Sequence, residues 1–71
     1  MPLLVLVYRF GSELMTINIE WQDQNGCWHR YQQLHNTQDA FRVATRRAQI
    51  TGKRQRIMSD DGQLQDLVEP S

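Results

Sequence analysis

The chain has a single cysteine, Cys27, and no apolar run long enough to cross a bilayer. One thiol excludes an internal disulfide, and a lone thiol suits a reducing compartment, so a cytoplasmic location is expected. Nothing adjoining Cys27 marks it as a reactive thiol rather than a small, partly buried side chain. Net charge is also missing. Eight basic and eight acidic residues cancel, which excludes bulk attraction to nucleic acid or to a membrane. There is no glycine-rich phosphate loop of either the P-loop or the dinucleotide type. With 71 residues the chain is one domain at most, and its margin of stability is thin.

Charge is present, but unevenly spread. Arg42, Arg46, Arg47, Lys53, Arg54 and Arg56 follow one another with no acid between them. Asp60, Asp61, Asp66 and Glu69 then close the chain with no base among them.

The most apolar stretch is the start, Met-Pro-Leu-Leu-Val-Leu-Val-Tyr-Arg-Phe. It lacks the basic region and small-residue cleavage site of a secretory leader. Residues 1–14 read either as an extra strand on a sheet edge or as sequence upstream of a natural start at Met15. The intact mass of the native product separates the two.

Residues 15–71 read as one domain. Met15, Ile17, Ile19 and Trp21 alternate with Thr16, Asn18, Glu20 and Gln22, the period of a half-buried strand. Asp23-Gln24-Asn25-Gly26 is a turn signal, because Gly and to a lesser degree Asn tolerate positive φ. Trp28, Tyr31 and Leu34 on the returning strand do not share one parity, which predicts a bulge. A two-residue Asn-Gly loop would set Trp21 opposite Arg30; a three-residue loop ending in a Gly26 bulge, which is preferred, sets Glu20 opposite Arg30 and Ile19 opposite Tyr31.

Asn36 is the expected N-cap of a helix, with Asp39 at its third position. Ala40, Phe41, Ala44 and Ala48 form an apolar stripe, widened by Val43 and Ile50. Gly52 is the expected C-terminal stop. Residues 54–59 and 63–68 then flank Asp60-Asp61-Gly62, a second tight turn. A loop like that at Gly26 would place Arg56 opposite Asp66 and Met58 opposite Leu64. Pro70 ends the last strand. The fold class is therefore α+β, in ββαββ order: a four-stranded antiparallel sheet with one helix packed on one face. Ile17, Ile19, Trp21, Phe41, Ala44 and Ile57 are the expected core.

Asn25-Gly26-Cys27-Trp28, Tyr31, the helix from Thr37 to Ala44, Thr51-Gly52-Lys53, Arg56-Ile57 and Asp61-Gly62 together resemble short uncharacterised bacterial and phage proteins of ββαββ outline. The resemblance implies that outline and carries no activity with it.

No complete catalytic set is evident. Cys27 and His29 sit two apart on a strand, the spacing of a thiol and imidazole sharing a face. No orienting third group or oxyanion cradle accompanies them. Adding His35 gives three zinc ligands where structural zinc takes four, and a strand would hold His35 roughly 20 Å from His29. Asp60-Asp61-Gly62 is far too short for a twelve-residue calcium loop. The expectation is a non-enzymatic module without metal, cofactor or small-molecule substrate. Arg42, Arg46, Arg47, Lys53 and Arg54 are the candidate binding residues. Their partner is expected to be a protein, self-association included, since the basic run and the acidic final hairpin are complementary. The alternative is RNA or single-stranded nucleic acid, with Trp21, Trp28 and Tyr31 stacking on bases.

Overall fold

The computed structural model describes residues 16–71. The expected N-terminal strand and the expected start at Met15 fall outside the described residues. Strand β1 (Ile17–Gln22) and strand β2 (Trp28–Leu34) form the first hairpin, helix α1 spans Thr37–Thr51, and β3 (Gln55–Ser59) and β4 (Leu64–Val68) form the second. One antiparallel sheet has the order β2-β1-β3-β4, so β1 and β3 are central and pair with each other across the helix connection. The α+β fold in ββαββ order is thus as the periodicities predict.

Both hairpins turn by one device. Gly26 N–H donates to the Asp23 carbonyl at 3.0 Å and Asp23 N–H to the Cys27 carbonyl at 2.8 Å. Gly62 and Ser59 repeat this with Ser59 and Gln63 at 3.0 and 2.8 Å. The two glycines have φ of 87° and 89°, in the left-handed region where a β-carbon is disfavoured. Side chains hold each loop closed. Asp23 Oδ1 accepts from the Asn25 and Cys27 N–H groups, and Ser59 Oγ accepts from Gln63 N–H.

Each edge strand carries one bulge, and the bulges move two expected pairings. In β2, Glu20 pairs with Arg30 as expected, but Ile19 pairs with Gln32 and Tyr31 is the extra residue. In β4, Met58 pairs with Leu64 as expected, but Gln65 is extra, so Ile57 meets Asp66 and Arg56 meets Leu67.

The helix starts at Asn36, whose Oδ1 accepts from Asp39 N–H at 3.1 Å, and stops at Gly52 in the left-handed conformation. Ala40, Ala44 and Ala48 are fully buried against Ile17, Ile19, Ile57 and Val68, with Leu34 and Val43 packed at the margin. Phe41 corrects the expected core: it is 48% exposed, and Ile50 is 67% exposed. An alanine ladder brings the helix axis close to the sheet. Phe41 lies on the flank of that ladder, where such a close approach leaves no room for a ring beneath the helix. Trp21, also expected inside, is only half-buried.

Candidate functional site

The fold divides the basic run among five places. Arg47 lies on the helix flank above edge strand β2, its guanidinium 4.1 Å from the Tyr31 ring centroid, and its Nε is buried without a hydrogen-bond partner. Lys53, just past the helix end, stands 5.8 Å above the Trp21 ring. Arg54 pairs with Glu69 at 3.0 Å. Arg56 projects from the sheet face opposite the helix, where its Nε donates to Glu20 at 2.6 Å and its plane stacks 4.3 Å over Trp28.

That last group was only partly legible in the sequence. Arg56 was expected to meet Asp66 across the second hairpin. The carboxylate it meets is Glu20, its neighbour on the central strand β1. The signal was present in the alternation of Glu20 and Arg56 with buried isoleucines. It needed the β1–β3 pairing to become readable.

Arg42 and Arg46 remain on the outward face of α1. Arg42 reaches Asp39 at 3.6 Å, with both side chains more than half exposed, a pair that solvent screens. Arg46 has no hydrogen-bond or ion-pair partner among the described residues. With Gln38, Phe41, Thr45 and Gln49 they line a shallow groove. The Thr45 hydroxyl is turned inward to the Phe41 carbonyl at 2.7 Å, so the groove wall is its methyl group beside the Phe41 ring. An aromatic ring with two guanidinium groups four residues apart in the same lining suits an apolar anchor accompanied by acids. Of the five candidate binding residues, the structure brings Arg42 and Arg46 together here. Arg47, Lys53 and Arg54 are engaged elsewhere in the chain.

The Cys27 and His29 pair is resolved differently from a nucleophile and its base. His29 Nε2 donates to Asp23 Oδ2 at 2.7 Å, and its ring stacks on Trp21 with centroids 4.7 Å apart. Cys27 is exposed in the turn. The Asp23 carboxyl is held below its ordinary range, first by the His29 bond and then by the Cys27 N–H, against a smaller opposing effect of burial. Asp61 is lowered in the same sense, chiefly by the Ser59 hydroxyl that donates to it. Among the described residues no three His, Cys, Asp or Glu side chains gather as a metal site, and no helix is long and apolar enough to cross a membrane. No family model, curated protein or solved structure matches the chain.

Proposed function

We propose that the chain is a small non-enzymatic module that contacts another protein through the outward face of α1. The observation that carries this is Phe41, a ring 48% exposed on a helix whose inward face is alanine, lining one groove with Arg42 and Arg46. Aromatic and arginine side chains are the residues that most often anchor protein interfaces. A cationic rim adds steering and register.

Nucleic-acid binding would use a continuous basic strip beside open aromatic rings. Here Trp21, Trp28 and Tyr31 each carry a cation of the same chain above the ring, and Arg54 and Arg56 are paired with carboxylates. These internal partners weigh toward protein.

The test is affinity capture from the native host with Arg42→Glu/Arg46→Glu. The variant is expected to keep the wild-type circular dichroism spectrum and to lose the captured protein. Capture that is unchanged, or that yields nucleic acid released by moderate salt, would sink the proposal.

A further inference from the structure

Resting on that contact surface, we infer that its occupant is a second copy of this chain, which presents the acidic final hairpin to the groove. Three observations converge on this.

The first is chemical complementarity within one sequence. The groove offers Phe41 with Arg42 and Arg46. The final hairpin offers Asp60 in its turn and Asp66, which pairs with Ile57 and so lies on the helix side of the sheet, whereas Leu64 and Leu67, opposite Met58 and Arg56, lie on the far face. Neither of those acids has a cationic partner among the described residues. The exposed positive charge of Arg42, only weakly held by Asp39, and of Arg46 thus matches the exposed negative charge of the hairpin.

The second is placement. A helix advances about 100° per residue, so from Ala44 the positions three residues behind and three ahead, Phe41 and Arg47, project about 60° to either side. Arg47 lies over Tyr31 of β2, one edge of the sheet. Phe41 therefore projects toward the other edge, and that edge is β4. Groove and hairpin border the same side of the molecule. Two copies related by a two-fold axis then make both contacts at once, and the assembly closes instead of growing into a filament.

The third is the size of the core. Three of the seven buried apolar residues among those described are alanines, which contribute little buried surface each. Association that binds only the folded state adds to stability by mass action.

Sedimentation velocity on the chain over a concentration series tests the inference, alongside Arg42→Glu/Arg46→Glu and Asp60→Lys/Asp66→Lys. Wild type is expected to shift from monomer to dimer as concentration rises, and to shift back with added salt. Either variant alone is expected to associate at least about tenfold more weakly. An equimolar mixture of the two is expected to recover the dimer, because each acidic helix face then meets a basic hairpin. Misfolding of either variant could not produce that rescue. A wild-type monomer at every concentration overturns the second-copy assignment, as do variants that still dimerise or a mixture that stays monomeric. A monomeric wild type that still captures a different protein, lost in Arg42→Glu/Arg46→Glu, overturns it too while leaving the contact surface intact.

Discussion

At the scale of single residues, what separates a structural arginine from an available one is its environment. Arg56 and Glu20 have side chains 28% and 18% exposed, whereas Arg42 and Asp39 are 78% and 56% exposed. A less hydrated pair, with the guanidinium also stacked on Trp28, is coupled more strongly than a pair that water screens. A double-mutant cycle on Glu20 and Arg56 by urea denaturation is expected to give a coupling energy above about 1 kcal/mol, the upper end for exposed pairs. The same cycle on Asp39 and Arg42 is expected near zero. Equal values would remove the distinction between latch and contact residue. The sequence shows six cations in a row of fifteen positions and no sign of which are occupied, because occupation depends on strands far apart in the chain. Phe41 was misplaced for a related reason. Periodicity marks a broad apolar stripe, and only the closeness of the alanine ladder decides which of its members is left outside.

At the scale of elements, nearly all of the fold was legible. Alternation of Ile17 and Ile19 with polar residues, the Asn36 cap, and glycines at the turns and helix end are local signals, and they place the four described strands and the helix within two or three residues of their ends. The bulges at Tyr31 and Gln65 were less legible, being set by how each edge strand follows its twisted neighbour. Bulged edges also resist pairing with a stray strand, which leaves the side of the molecule to side-chain contacts. Both loops rest on a left-handed glycine with room around it. A β-carbon at Gly26 would approach nothing closer than Gln22 at 3.9 Å, and one at Gly62 nothing within 4 Å. Any penalty must then come from the backbone alone. Gly26→Ala and Gly62→Ala are each expected to destabilise the fold by about 1–2 kcal/mol, without loss of native circular dichroism. A change near zero would mean that the loops relax to another turn type.

At the scale of the whole molecule, acid is the condition to which the fold should respond. Asp23 and Asp61 titrate below their ordinary value of about 3.8 when folded. Between the folded and unfolded values the unfolded chain binds more protons, so stability rises with pH across that interval. Their contribution is complete above the unfolded value and is lost as pH falls through the folded ones. Denaturation midpoints measured from pH 6 downward are expected to fall steeply below about pH 4. Asp23→Asn keeps an acceptor for the loop N–H groups but loses the charge facing His29, and is expected to flatten that acid limb. An acid limb as steep as that of wild type would show that the His29 contact does not shift the carboxylate.

The strand order has a further consequence for how the chain assembles. β1 and β3 are the middle of the sheet, yet their joint between Ile19 and Ile57 spans more sequence than either hairpin pairing, so it is expected to close last. Each ribbon arrives with one greasy side and nothing to set it against. The helix between them is the only tether, and its alanine side is the surface on which both halves must land together. Substitutions along this joint should therefore slow assembly more than those in the outer strands, and a nick in the tether should leave two pieces that recognise each other.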